Sequence, residues 1–374
     1  MSKKPKAVLI SCFDWYEKRL KYIGNFLEEN GYRVDYMSSN FDHLLKCHID
    51  KYKDVKNFHY INVPKYTHNI SVSRLISHKV FSTRVVKAIE QIRPELVYCL
   101  IPPNSLAKDI AKLKKEHKFF LIYDVIDLWP ESFPKAKSVK FVFKPWQDMR
   151  DKYIDYADRV ILECNYYRQT FKKIIPETKI EIIPIVKPCI GNVEEKGAEQ
   201  DICLAYLGSI NSLIDIERIS SIVSDISKEK SVLVRIIGDG SNKDKFIDEL
   251  KMAGAKVEYY GKIFDDLEKK KILGACDFGL NIYKESVSIG LTLKSVDYFQ
   301  LGLPILNSIP GDTEKLVNKY DIGINSSELS SENIVKTCKH ISDLKKNVSK
   351  MFVNEFSPEI IGKKMSALKF WGNS

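Results

Sequence analysis

The stretch SIGLTLKSVDYFQLGLPIL, residues 288–306, places Gly290 and Thr292 ahead of Lys294, sets Asp297 three residues later and stops at Gly-Leu-Pro. A helix opening here leaves its first N–H groups free and its positive dipole end exposed, a setting that suits anions. Lys294 and Asp297, at i and i+3, then share one face. Read alone, they are an ordinary ion pair on an exposed helix. Beside the right neighbours, they are a cation and an anion that meet one ligand. Further carboxylates follow strands: Asp14 and Glu17 after the first, and Asp124 and Asp127 within LIYDVIDLWPESF, residues 121–133. A carboxylate within hydrogen-bond reach of a hydroxyl can take its proton. Asp127 could equally cap the turn before Trp129-Pro130.

The elements that must position these groups alternate. KAVLISC (6–12) reads as a buried strand, YEKRLKYIGNFLEEN (16–30) as a helix ended by Gly31, and YRVDYMSS (32–39) as a second strand. The helix STRVVKAIEQIR (82–93) then precedes the strand ELVYCLIP. SLAKDIAKLKKEH and KFFLIYDV repeat the alternation, as do YADRVILEC, YYRQTFKKII and KIEIIPIV. Strands separated by such helices imply a parallel sheet with crossovers. KPCIGNVEEKGAEQD (187–201) breaks the pattern and reads as a linker. The alternation restarts with ICLAYLGSI and runs through SVLVRIIGDG, KVEYYGKI, DFGLNIY, LPILNS and IGINSS. The expected division is an N-terminal domain over 1–186, a second over 202–355, and a final helix, 356–374, that returns to the first. Two doubly wound domains in tandem are expected to leave a central cleft between their strand ends, where such sheets bind ligands.

Composition narrows the classes. The chain has 374 residues, 44% hydrophobic and 29% charged, which is ordinary for a folded protein of two domains. No run approaches the roughly 18 apolar residues of a spanning helix. MSKKPKAVLI runs from a basic start straight into a strand, without a signal peptide's apolar core and cleavage site, so a cytoplasmic location is expected. Eight cysteines without a CxxC pair read as reduced core residues. The net charge of +10 suits nucleic acid, an anionic membrane surface or phosphorylated small molecules. The lysines are dispersed and no nucleic-acid recognition module is readable, so that partner is not expected. In KAKSVKFVFKPWQDMRDKY, residues 135–153, lysines interleave with Phe141, Phe143 and Trp146. That mixture fits an anionic headgroup interface, or a solvated helix whose rings pack inward. No D-x-D metal site stands out. FDD (264–266) and DIE (215–217) read as helix-start carboxylates, the histidines do not cluster, and no metal is expected.

Two common phosphate motifs are absent: no G-x-G-x-x-G follows the first strand, and no G-x-x-x-x-G-K-[ST] occurs. The order of segments in the second half is more informative. YLGSI (206–210), IIGDG (236–240), YYGKI (259–263), ACDFGLNIY (275–283) and GLTLKSVDYFQLGLPIL (290–306) succeed one another in a pattern that resembles the donor-binding domain of GT-B nucleotide-sugar glycosyltransferases, particularly the family 4 type. DVIDLWPES, YADRVILEC and KIEIIPIVKP are similar to segments of the subgroup that makes bacterial capsules, O-antigens and exopolysaccharides.

The resemblance implies two Rossmann-like domains and transfer of a sugar from a nucleoside-diphosphate donor, UDP- or dTDP-linked, to a lipid-linked saccharide. The setting would be peripheral, at the inner face of the plasma membrane, with no cofactor beyond that co-substrate. It gives Gly290, Leu291 and Thr292 the backbone amides that meet the diphosphate, with Lys294 a point charge beside it and Asp297 the acceptor for ribose hydroxyls. Gly208 and Ser209 would form the first phosphate turn, with Gly238 near it and Lys262 and Ile263 beside the base. Asp127, with Asp124 as its rival, would act on the acceptor hydroxyl. Asp14, Glu17 and Trp129 would lie on the acceptor side. Two departures stand out: Ile289 occupies the place of a sugar-contacting glutamate, and GSINSLIDIERI shows neither the usual arginine nor the lysine at the expected places after the glycine turn. Alternatives are a GT-B sugar-nucleotide epimerase and a non-catalytic scaffold or sugar-binding subunit of a polysaccharide assembly.

Overall fold

The computed structural model describes residues 4–13, 17–69, 71–131, 140–191, 201–287 and 289–368. The chain forms two compact units, one running to Val186 and resuming at Ile361, the other spanning Lys187–Ile360.

The first unit opens with β1 (Lys6–Ser11), α1 (Glu17–Glu29) and β2 (Arg33–Ser39), followed by a short hairpin of β3 (Phe41–Asp42) and β4 (Cys47–His48). Next come β5 (Phe58–Ile61), α2 (Val72–Ile92), β6 (Leu96–Ile101), α3 (Asn104–Glu116) and β7 (Phe120–Val125). α4 (Lys140–Asp151), β8 (Arg159–Leu162), α5 (Asn165–Phe171) and β9 (Ile180–Ile182) complete it. Seven strands make one parallel sheet in the order β5-β2-β1-β6-β7-β8-β9. β6 is buried along its whole length and β7 almost so, as expected of strands covered on both faces. Helix α2 begins at Val72 behind a Ser71 cap, ten residues before the segment 82–93 that reads as helical in the sequence. Its buried stripe includes Ser77, His78 and Ser82, so hydrophobic periodicity fades there although the helix continues.

The second unit contains β10 (Ile202–Ser209), α6 (Ile216–Ser227), β11 (Val232–Asp239), α7 (Lys243–Met252), β12 (Lys256–Tyr259), α8 (Asp266–Leu273) and β13 (Phe278–Asn281). It continues through α9 (Leu293–Gln300), β14 (Ile305–Asn307), α10 (Asp312–Tyr320), β15 (Gly323–Asn325), α11 (Ser331–Cys338) and α12 (Ile341–Phe356). Its six parallel strands run β12-β11-β10-β13-β14-β15. In both units the chain starts mid-sheet, winds one way, then reverses beside its first strand, between β1 and β6 and between β10 and β13. Those reversals are where open α/β sheets receive ligands. Asp215 and Asp265 cap α6 and α8, the helix-start role expected of DIE and FDD.

Two boundaries differ from the sequence reading. Residues 187–191 are bound into the second unit: the Lys187 N–H donates to Phe356 O, and Gln300 and Lys270 donate to the carbonyls of Pro188 and Ile190. The rest of the expected linker, 192–200, lies outside the described residues. The last helix, α13 (Pro358–Ala367), joins the first unit from Ile361 and sets Ile361 and Met365, with Leu368 beyond it, into the core under β1 and β6.

Candidate functional site

At the reversal of the second sheet, Thr292 caps α9. Its hydroxyl accepts from the Ser295 N–H at 3.0 Å and donates to Asn281 at the end of β13, also at 3.0 Å. The Gly290 carbonyl accepts both the N–H and the hydroxyl of Thr313 at 2.9 Å, which fixes the turn that precedes the helix. The cap rests on a buried row of amides. Asn281 donates to Asn307, Asn307 to Asn325 and Asn325 to Asn318, at 2.8, 2.8 and 2.7 Å. Asn281, Asn307 and Asn325 are in register across β13, β14 and β15, and Asn318 joins them from α10. A satisfied polar chain of this kind holds a helix end in one place.

Lys294 turns inward from the first turn of α9. Its ammonium lies 3.9 Å from the Tyr206 ring centroid and 5.0 Å from that of Tyr283, and it is buried without a hydrogen-bond partner. Aromatic faces attract a cation, but burial opposes its charge and pulls the amine down to about 7. Gly208, at the end of β10 with φ of +110°, covers it: a Cβ there would stand 3.6 Å from Lys294 Cε. The bare turn and the lysine, far apart in sequence, therefore meet. Gly208 takes a backbone conformation that a side chain disfavours and lies directly against the lysine side chain. Leu291 and Thr292 are buried beneath the same turn, and Ser209 is exposed beyond it.

Asp297 does not pair with Lys294. Its carboxylate lies 2.5 Å from the ammonium of Lys187, and both groups are partly exposed. The simple i,i+3 ion pair is thereby excluded. Lys187 is a site residue that the sequence reading missed. It lies in the expected linker, where only the adjoining IIPIVKP pattern marked it.

Gly238 departs from its expected donor-binding role. A Cβ on it would stand 2.0 Å from Gly208 O, and its own N–H donates to Gly261 O at 2.7 Å. It is a packing residue that lets two strand ends close. Lys262 projects its ammonium to 3.2 Å from Asp239, and Ile263 is half-buried beside it.

In the first unit, Asp124 is corrected outright. It is wholly buried, accepts from Arg19 at 2.6 and 2.9 Å and from the Tyr98 hydroxyl at 2.6 Å, while Arg19 also reaches the carbonyls of Ile183 and Pro184. A carboxylate this enclosed holds β6, β7, α1 and the chain after β9 together and has no oxygen to offer a substrate. Asp127 is partly exposed, two residues past the end of β7. Near it, at the end of β8, is the buried Glu163. Burial, reinforced by the charges of Asp124 and Asp127 and opposed by Arg19, lifts its carboxyl to about 8. One of its oxygens has no hydrogen-bond partner. Glu163 escaped the sequence reading because one acid after an apolar strand carries no pattern.

Asp14 lies outside the described residues, and Glu17 opens α1 with its side chain likewise undescribed. Trp129 packs edge-on against Phe143 and Trp146 of α4. Of the basic-aromatic segment 135–153, residues 135–139 are outside the described set. Phe141 is 80% exposed, whereas Lys144 is neutralised by Asp148 at 2.9 Å. Among the described residues, no group of three or more His, Cys, Asp or Glu is placed to hold a metal ion, and no helix is long and apolar enough to cross a membrane.

No protein-family model and no curated protein sequence matches the chain. Solved structures do. A sucrose-phosphate synthase from Thermosynechococcus elongatus superposes with a TM-score of 0.71 at 14% identity over 98% of both chains. The Anabaena protein HepE, in complex with UDP and glucose, gives 0.65 at 14% identity over 97% of this chain and 98% of its own. The lipopolysaccharide outer core galactosyltransferase WaaB gives 0.65 at 14% identity over 98% and 99%. Likeness at this identity speaks to architecture alone: the chain has the GT-B fold, two Rossmann-like α/β domains in tandem.

Proposed function

We propose that the protein is a glycosyltransferase that moves a sugar from a nucleoside-diphosphate donor, UDP- or dTDP-linked, to a hydroxyl of a lipid-linked saccharide in bacterial surface-polysaccharide synthesis. One observation carries the reading: Gly208, the capped start of α9 and Lys294 converge at the switch point of the second sheet, with Asp297 on the same helix. An amine stripped of water and of any carboxylate partner is unfavourable in the free protein. A diphosphate would supply the missing charge. The first-turn amides of α9 and Lys294 would stabilise the departing diphosphate, and Asp297, oriented by Lys187, would accept hydrogen bonds from the ribose.

The first unit would hold the acceptor. Asp127 would position its hydroxyl or take its proton, next to a Glu163 that keeps its own proton at neutral pH. No resident metal is needed, because the lysine and the helix start provide the positive charge. HepE in complex with UDP and glucose, and WaaB as a lipopolysaccharide galactosyltransferase, are consistent with such a donor and such an acceptor. The net charge of +10 and the exposed Phe141 support a peripheral position on the inner face of the membrane.

The test is calorimetry with UDP and dTDP. Asp297→Ala should weaken the preferred nucleotide about tenfold or more, in line with loss of charge-assisted hydrogen bonds worth ~1.5–3 kcal/mol, with the melting temperature little changed. Equal affinity of wild type and variant would remove the donor assignment. Asp127→Asn should keep nucleotide affinity and lose transfer.

A further inference from the structure

The first unit contains a cavity of about 550 Å³ beside the start of α2. One wall is aromatic, formed by Trp129, Phe143 and Trp146, with ring centroids 6.1 and 6.5 Å apart. The amide nitrogen of the buried Asn104 holds this wall by donating to the carbonyls of Trp129 and Trp146, at 3.1 and 3.0 Å. The opposite wall is Val72, Leu75 and Ile76 of α2. Val72 is 71% exposed and Ile76 52%, so the apolar surface continues out of the cavity into solvent. Exposed apolar surface of this kind, leading into a formed slot, marks a binding site.

One edge of the slot is charged. Arg74 lines it, donating to the Asn69 carbonyl at 2.6 Å and lying 5.9 Å from the Phe13 ring, and among the described residues no carboxylate is ion-paired with it. Lys79, the other cation of the lining, is already satisfied by Asp109 at 2.6 Å. Of the groups packed about Arg74, the carboxylate of Asp42 acts on the same His43, Lys46 and Tyr66 but is not ion-paired with Arg74. His78 accepts its Nε–H at 3.4 Å, His43 is bonded to Tyr66 at 2.6 Å, and the Lys46 ammonium lies 4.9 Å from the Tyr66 ring. Burial and the guanidinium hold both imidazoles well toward the neutral form. A guanidinium with no ion-paired carboxylate among the described residues, at one end of an apolar slot, complements a molecule with an anion at one end and hydrocarbon behind it.

We infer that this cavity binds the hydrocarbon chain of a phosphorylated single-chain lipid, with its phosphate on Arg74, and so seats the carrier of the acceptor. The inference rests on the lipid-linked acceptor proposed above and gives that acceptor a place. Trp129 follows Asp127 by two residues, so the aromatic wall of the slot is joined directly to the strand end proposed to receive the acceptor hydroxyl.

Farnesyl diphosphate is the probe, titrated into the full chain and followed by tryptophan fluorescence, with inorganic pyrophosphate and farnesol as its two halves. Farnesyl diphosphate should bind at least tenfold more tightly than either half. Trp146→Ala should weaken it at least tenfold, Trp146→Phe should restore most of that loss, and Arg74→Gln should lower its affinity to that of farnesol. UDP affinity, read in the same samples, should be unchanged in every variant, and the calorimetric transition of the first unit should persist in each, which reports that the unit carrying the substitution is folded. Farnesyl diphosphate no tighter than pyrophosphate, or indifferent to both substitutions, overturns the inference. Sedimentation with phosphatidylglycerol vesicles that depends on Trp146 while farnesyl diphosphate fails to bind also overturns it and assigns the wall to the bilayer. Binding of the prenyl probe by a protein that does not bind UDP would sink the donor reading and leave the cavity assignment standing.

Discussion

Two titratable side chains, Lys294 and Glu163, are displaced from their ordinary behaviour by their surroundings. Burial brings the Lys294 amine down to about 7, so at pH 7 it is divided between its charged and neutral forms, and no carboxylate restores the charge. A bound diphosphate favours the charged form, so above pH 7 binding must take up a proton and affinity must fall as pH rises. Calorimetry of UDP at pH 8 in buffers of different ionisation enthalpy should show uptake of a sizeable fraction of one proton, and Lys294→Met should abolish it. Glu163 is the reverse case. Its folded-state value is raised from 4.5 to about 8, so the native protein keeps a proton that the unfolded chain releases. The associated stability is fully present below about pH 4.5 and is lost as pH rises through about 8. Glu163→Gln copies the protonated shape and cannot ionise. Its melting temperature should pull ahead of wild type between pH 6 and 9, at roughly 2–4 °C per kcal/mol for a unit of this size. A constant gap across that range would show that the carboxyl is ionised in the fold. Only part of this was legible in the sequence. Spacing placed Lys294 and Asp297 on one helix, but the ion pair with Lys187 depends on how the chain enters the second unit. Asp124 and Asp127 are equivalent as letters, and only the fold shows Arg19 and Tyr98 closing around the first of them.

At the scale of elements, strands were easier to read than helices for a physical reason. A parallel strand covered on both faces must be apolar throughout, and LVYCLI and ICLAYL announce themselves. Helix α2 hides its first ten residues because its buried face carries serines and a histidine that find partners inside: Ser82 bonds to His78 O and Ser105, at 2.9 and 2.7 Å. The row Asn281, Asn307, Asn325 was equally hidden, since each asparagine ends a strand where a turn residue is commonplace. The glycine turns were visible, but not their division of labour. Gly208, at positive φ, lies against the Lys294 side chain, whereas Gly238 allows two backbones to touch. Gly238→Ala should therefore destabilise the second unit by about 2–3 kcal/mol through overpacking against Gly208 O. Urea denaturation followed by circular dichroism reads that loss. Tolerance of the methyl group would mean that the strand ends are not packed as described.

For the molecule as a whole, the order of segments held more information than residue identity. A chain only 14% identical to a sucrose-phosphate synthase keeps its architecture over 98% of its length. What such a likeness requires is the alternation of buried strand and covering helix, which many side chains satisfy. The division into two units sets how the protein should unfold. Each unit has its own core: one gathers β10, β11 and β13 with α6, and the other gathers β1, β6 and β7 with the end of α13. A ligand that binds one native unit and not its unfolded form raises that unit's stability by RT ln(1 + [L]/Kd), about 2.7 kcal/mol at a hundredfold excess over Kd. Saturating UDP should accordingly lift one calorimetric transition by several degrees and leave the other in place, and Asp297→Ala should remove the shift. Met365→Ala, which opens a cavity under β1, should lower only the transition that UDP leaves alone, by about 2–5 kcal/mol. A single transition that moves with both UDP and Met365→Ala would show that the two cores fold as one. A nucleotide shift in the transition lowered by Met365→Ala would place the donor in the first unit and reverse the assignment of roles.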